Sequence, residues 1–212
     1  MQFSGKSVII TGAGKGIGRA CAQLMAARGA EVVAISRTQS DLDSLRSEIG
    51  GRSIRADLAD VKATRAAMAE AGTCDFLINS AGINVLESVL DMSDAGYEAV
   101  LGINLRAAII TCQEFARARV AKGGGGAIVN ITSIAGHRGF QDRGSAGAAA
   151  RAAGAAHRAG EGRSNAWRRP AGADAGRLPG SFPRSAGACA AARWWARPPP
   201  RRPRTGRQPQ RA

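Results

Sequence analysis

The segment that most constrains this chain is its first turn. The run Ser7-Val8-Ile9-Ile10 passes directly into Thr11-Gly12-Ala13-Gly14-Lys15-Gly16-Ile17-Gly18-Arg19, and a helical pattern begins before that segment ends. Glycine admits backbone angles and close approaches that a Cβ forbids. A strand, a glycine turn and a helix N-terminus, in that order, form a cradle of N–H groups with partial positive charge that suits a pyrophosphate. Gly12, Gly14, Lys15, Gly16, Ile17 and Gly18 are therefore candidate cofactor-binding residues, and close helix–sheet packing explains Gly18 equally well. A glycine turn alone is a weak signal. The strand before it and the helix after it give it weight.

The same alternation continues down the chain. Glu31-Val32-Val33-Ala34-Ile35, Phe76-Leu77-Ile78 and Ala127-Ile128-Val129-Asn130-Ile131 read as strands buried on both faces. Ile17, Ala20, Cys21, Leu24 and Ala27 form one helical stripe, closed by Arg28 and Gly29. Ser40 and Asp60 stand as N-caps before helices over 41–49 and 61–71, and 94–121 reads as one or two longer helices. Strand–helix alternation implies right-handed βαβ units, hence an α/β fold with a Rossmann-type, doubly wound parallel sheet. No targeting signal is read at the N-terminus, and no apolar run approaches the roughly 18–20 residues of a membrane span, so no membrane partner is expected.

Composition divides the chain in two. The net charge is +14 over 212 residues, which by itself suggests a nucleic-acid partner. Residues 144–212, however, hold 14 Arg against only Glu161 and Asp174, a net of +12, leaving +2 for residues 1–143. The later segment has no Val, Ile, Met, Tyr or Lys, and Ala, Arg, Gly and Pro fill 52 of its 69 positions. Without large aliphatics it cannot offset its ordering entropy by burial. The expected organisation is a nucleotide-binding domain over 1–143 and a disordered, low-complexity basic tail over 144–212. Alanine propensity favours a weak helix over 146–159. Four cysteines, Cys21, Cys74, Cys112 and Cys189, show no metal spacing, so no metal is expected, and they suit a reducing, cytoplasmic setting.

Cofactor choice is read at the end of the second strand. An acid there would bind the ribose 2′-hydroxyl and repel a 2′-phosphate. This chain has Ser36-Arg37-Thr38, with Lys15 in the facing loop. A guanidinium, an ammonium and two hydroxyls suit a 2′-phosphate, so NADP(H) is favoured over NAD(H), against the plainer reading of two solvated surface cations.

Thr11–Gly18 resembles the T-G-x-x-x-G-x-G loop of the short-chain dehydrogenase/reductase family. Asp57-Leu58, Asn79-Ser80-Ala81-Gly82, Asn104 and Ile128-Val129-Asn130-Ile131-Thr132-Ser133 follow in that family's order. Gly14–Arg19, Ser36–Gln39 and Asp41–Leu45 look most like its L-xylulose and dicarbonyl reductase branch, and the resemblance runs to about residue 140. It implies NADP(H)-dependent carbonyl/alcohol oxidoreduction on a small carbonyl or alcohol substrate, by a cytoplasmic homo-oligomer. It also implies that Asp57 and Leu58 lie by the adenine, and Asn79, Ala81 and Gly82 on the ribose side. Asn104 would hold a helix kink and a relay water, and Ser133 the substrate carbonyl.

The family's proton donor is a tyrosine in Y-x-x-x-K, which falls at positions 146 and 150. Here these are Ala146 and Ala150. The sole tyrosine, Tyr97, lies in an earlier helix. The family's last strands have no counterpart after 143, so the sheet is expected to stop after about strand five and the oligomer to lose its interface. The tail's residues are those of GC-rich codons. Read one base out of phase, His157–Gly162 permits a Leu-Thr-Glu-Leu-Val-Lys-like run resembling the family's next helix, although the shift does not restore a tyrosine at 146. Three readings remain open at this point: an active reductase, a catalytically dead NADP-binding remnant, and a Rossmann domain whose Arg-rich tail, with Trp167, Trp194 and Trp195, binds nucleic acid.

Overall fold

Val8 and Ile10 face one side of a parallel sheet and Ile9 the other, and all three are fully buried. In the computed structural model, which describes residues 2–138 and 141–161, the sheet has five strands. They are β1 (Ser7–Thr11), β2 (Glu31–Ser36), β3 (Arg52–Arg55), β4 (Phe76–Asn79) and β5 (Ala127–Asn130), in the order β3-β2-β1-β4-β5. All pairings are parallel. The order reverses between β1 and β4, so a crevice opens at their C-terminal ends, where doubly wound sheets bind ligands.

Two helical layers cover the sheet. On one face Ala22, Met25 and Ala26 of α1 (Gly16–Ala27) join Leu42, Leu45 and Ile49 of α2 (Gln39–Ile49) against Val8, Ile10, Val32 and Ala34. On the other, Ala67, Met68 and Ala71 of α3 (Val61–Ala71) meet Ala107 and Phe115 over Ile9, Val33, Ile35 and Leu77. Phe115 belongs to a long helix made of α4 (Asp94–Leu101), a π-helical turn (Gly102–Ala107) and α5 (Ala108–Ala121).

Several sequence expectations need correction. The buried face of α1 is set by Gly18 and Ala22, one position on from the expected stripe, whose Ile17 and Leu24 are 59% and 50% exposed. The reason is backbone contact at Gly18, which brings that side of the helix against Gly12 and Ala13 of the glycine turn. Thr38, not Ser40, is the N-cap of α2 and makes no side-chain cap bond. Asp60 does cap α3, accepting from the amides of Lys62 at 2.7 Å and Ala63 at 3.2 Å. Strand β3 had no apolar run to announce it, because only Ile54 turns inward. The helix over 94–121 is 28 residues long, and its most apolar 18-residue window, with a mean hydropathy of 1.2, is long and apolar enough by length and composition to cross a membrane. No uninterrupted apolar run reaches that length, because Glu98, Asn104, Arg106 and Gln113 divide the helix. Val100, Ile103, Ala107, Ile110 and Phe115 of this helix are buried.

A helix also forms beyond residue 143. It is α6 (Gly144–Glu161), and Ser145, Ala149 and Ala153 in it are buried. The packed body thus reaches at least residue 153, past the expected boundary. Small residues, rather than an apolar stripe, let the helix settle. The expected disorder of residues 162–212 and their nucleic-acid reading lie outside the described residues.

Candidate functional site

The glycine turn is built by contacts that exclude side chains. Gly12 holds φ at +67°, and a Cβ there would stand 2.8 Å from the Cα of Ala81. A Cβ on Gly14 would stand 2.7 Å from Ser36 Oγ and 2.9 Å from Asp41 Cβ, and one on Gly18 would press into the carbonyl of Gly12. Gly16, at φ +54°, faces open space, and beside it Ile17 is exposed. Lys15 occupies the N-cap position of α1 without a side-chain cap bond. Asp60 on α3 and Ser93 on α4, in contrast, both fill their helix ends. The first turn of α1 therefore presents its N-terminus to solvent without a capping side chain, as an anion cradle requires.

The strand ends behind the turn are tied by one polar hub. Thr11, Asn79 and Asn130 stand in register at the ends of β1, β4 and β5. Thr11 Oγ1 accepts from the amides of Ser80 at 3.1 Å and Ala81 at 3.2 Å, which fixes the Asn79–Gly82 segment over Gly12. Asn79 donates to Asn130 Oδ1 at 2.9 Å and to Cys112 Sγ at 3.3 Å, and the Thr111 hydroxyl lies 2.8 Å from Asn79 Oδ1. Burial pushes the Cys112 thiol up to about 11, only partly opposed by its hydrogen bonds with Asn130 and Asn79. In the sequence, Thr11 and Asn130 stand only as members of longer motifs and Cys112 only as a cysteine, Thr111 is not singled out, and none is expected to join Asn79. Their shared height on the sheet was the available signal.

The proposed 2′-phosphate side has a competitor. Lys15 Nζ lies 3.5 Å from Asp41 Oδ2 in the first turn of α2. Arg37 is exposed and forms no ion pair among the described residues, while Ser36 is half-buried and Thr38 exposed. Asp57 accepts from the amide of Ala59 at 3.0 Å at the rim, and Leu58 beside it is buried.

Asn104 sits within the π-helical turn and locks the backbone of Ile83 from both sides. Its Oδ1 accepts from the Ile83 amide and its Nδ2 donates to the Ile83 carbonyl, each at 2.8 Å. Gly82 lies against the same side chain, where a Cβ would come within 3.4 Å of Oδ1. Ser133 is exposed at the start of a 3-10 turn (Ile134–Gly136), and its Oγ accepts from the Ala135 amide at 3.2 Å. Helix α6 rests on that turn through glycines. A Cβ on Gly147 would lie 2.9 Å from the Ala135 carbonyl oxygen, and one on Gly136 would lie 3.0 Å from the Arg151 amide. Ala146 and Ala150 on α6 are half-buried. A cavity of about 270 Å³ lies between this turn and α6, lined by His137, Arg138, Arg143 and Arg151 among others, but not by Ser133 or the glycine turn.

Comparison with known proteins places this arrangement. Residues 6–157 match the family model described as short chain dehydrogenase. The L-xylulose reductase of Mesocricetus auratus is 44% identical over 139 residues, 65% of this chain and 57% of that protein. The D-erythrulose reductase of Gallus gallus is 41% identical over 143 residues, 67% of this chain and 58% of that protein. A carbonyl reductase 2 of Sus scrofa, whose name specifies NADPH, is 38% identical over 138 residues, 65% of this chain and 57% of that protein. The chain thus spans a little over half the length of these relatives. Among solved structures, a short chain dehydrogenase/reductase family protein superposes with a TM-score of 0.73 at 34% identity, covering 76% of this chain and 68% of that one. A short chain dehydrogenase from Mycobacterium smegmatis gives 0.71 at 28%, covering 74% and 69%.

Proposed function

Because this chain belongs to the short-chain dehydrogenase family, we propose that it binds NADP(H) as a carbonyl/alcohol oxidoreductase of that family does, and that as written it turns over little or no substrate. The observation that carries the reading is the uncapped N-terminus of α1 beside an open Gly16, with Lys15 at its N-cap and Ser36 packed against Gly14. Gly12, Gly14, Gly16, Ile17 and Gly18 would hold the pyrophosphate, Lys15, Ser36, Arg37 and Thr38 the 2′-phosphate, Asp57 and Leu58 the adenine, and Asn79, Ala81 and Gly82 the ribose side. The NADPH in the name of the pig relative supports the same cofactor.

When bound, NADP(H) supplies or accepts a hydride. Ser133 would donate its hydroxyl proton in a hydrogen bond to the carbonyl oxygen of a small substrate. Asn104 engages one N–H and Oδ1 with Ile83 and retains a second N–H for a water. Positions 146 and 150, one turn apart on α6, carry methyl groups that can neither give nor take a proton. Loss of an acid–base group removes roughly 10²–10⁴-fold in rate. The thiols of buried Cys74 and half-buried Cys112 support a cytoplasmic setting, and the family resemblance supports a homo-oligomer.

NADPH titration followed by nicotinamide fluorescence, paired with NADPH oxidation in the presence of a dicarbonyl, tests both halves of the reading. Binding tighter than that of NADH, with oxidation at the buffer rate, is expected. No binding of either cofactor would overturn the nucleotide reading, and steady turnover would overturn the impairment.

A further inference from the structure

The groups read as selecting a 2′-phosphate come from two separate pieces of chain. Lys15 belongs to the glycine turn, and Ser36, Arg37 and Thr38 belong to the passage from β2 into α2. A single phosphate is gripped from both sides only if these pieces keep a fixed separation, because charge-assisted bonds act at about 2.7–2.9 Å. Gly14 already shows how close they lie, with no room for a Cβ between it and Ser36 or Asp41.

Arg19 spans this joint. It projects from the first turn of α1 with its side chain 21% exposed. Its Nη1 donates to the Gly14 carbonyl at 3.2 Å and to the Asp41 carbonyl at 3.3 Å. Its Nη2 donates to Ser44 Oγ at 3.0 Å and to Glu48 Oε1, and Gln23 holds the other oxygen of Glu48 at 2.7 Å. One guanidinium therefore joins the glycine turn to three successive turns of α2. Its planar fork suits that task, and an ammonium could satisfy only part of the set.

Building on the NADP(H) reading above, we propose that Arg19 is a positioning residue for cofactor discrimination: it sets the distance between Lys15 and Arg37 and so determines how strongly the chain prefers NADPH over NADH. Arg19 acts from the far side of the joint, through Gly14 and Asp41, and needs no contact with cofactor. A purely structural arginine would, on removal, weaken both cofactors alike. A positioning residue for the 2′-phosphate weakens NADPH alone.

The test measures dissociation constants for NADPH and NADH by fluorescence on the full chain, for the unmodified protein, Arg19→Met, Arg19→Lys and Glu48→Gln, each checked for an intact fold by circular dichroism. Arg19→Met is expected to weaken NADPH about tenfold, the scale of one charge-assisted bond, with NADH nearly unchanged. Arg19→Lys should recover part of the preference. Glu48→Gln should retain nearly all of it, because Gly14 and Asp41 stay tethered. A preference unchanged in Arg19→Met, or NADPH and NADH weakened by the same factor, overturns the assignment while leaving the NADP(H) reading intact. If Arg19→Met does not fold, Arg19→Lys decides: an undiminished preference in that variant overturns the assignment. Equal affinity for both cofactors in the unmodified chain overturns the NADP(H) reading and this inference with it.

Discussion

The two halves of the sheet are finished to different degrees. In the half built from β1, β2 and β3, helices α1 and α2 pack their side chains over one face, Arg19 ties the glycine turn to α2, and Thr11 ties it to the loop after β4. At the β5 side, one strand residue, Ile128, is buried, Ser133 stands exposed, and α6 is docked by glycine and alanine. On the proposed function, the sheet holds a finished nucleotide cradle beside an unfinished reaction centre, because the cradle needs only local glycine geometry and backbone amides, whereas the reaction centre would need side chains delivered by a later helix.

Turnover is the strongest way to break this contrast. The unmodified chain should oxidise NADPH with a dicarbonyl no faster than buffer. Adding Ala146→Tyr and Ala150→Lys together should give measurable but incomplete activity, still below a complete relative by at least about tenfold within the 10²–10⁴ range of an acid–base group. Robust activity in the unmodified chain would show that another residue donates the proton. The cradle is challenged next by Arg37→Asp, which should reverse the cofactor preference by placing a carboxylate against the 2′-phosphate, an effect of roughly 10–100-fold read as a ratio of dissociation constants. The hub is sharpened by Asn79→Ala, which strands the partners of a buried amide and should destabilise by about 1–3 kcal/mol in urea unfolding, where Ser133→Ala should cost almost nothing.

The smallest effect lies at Glu48. Hydrogen bonds from Gln23 and then Arg19 hold its carboxyl below the ordinary 4.5. A depressed acid contributes stability above its unfolded value and loses it as the pH falls through the folded one. Acid melts of Glu48→Gln should therefore be slightly flatter below about pH 4.5 than those of the unmodified chain, and identical at pH 7 apart from a constant offset.

The glycine turn and four of the five strands were legible because each is encoded within a few adjacent residues. Strand β3 was not, since an edge strand with only Ile54 inward carries no apolar run. The face of α1 was misjudged by one position because a residue without a Cβ, Gly18, decides it, and glycine leaves no mark on an apolar pattern. The hub of Thr11, Asn79 and Asn130 was half legible: each falls inside a quoted motif, while their meeting is defined by register across strands 68 and 51 residues apart. Helix α6 followed from alanine content, but its docking did not, because backbone contact through Gly136 and Gly147 needs no apolar stripe.

The π-helical turn over Gly102–Ala107 carries a consequence for insertions and deletions. One surplus residue per such turn rotates everything downstream by about 100° relative to an unbroken α-helix. Deleting any one residue of that turn would let the helix heal into regular geometry, an apparent local gain. The same deletion would swing Ile110, Thr111 and Phe115 away from the sheet and carry Asn104 off Ile83. This stretch should therefore tolerate many substitutions on its outer side yet no change in length, so that its residue count, more than its residue identities, is what the chain must preserve.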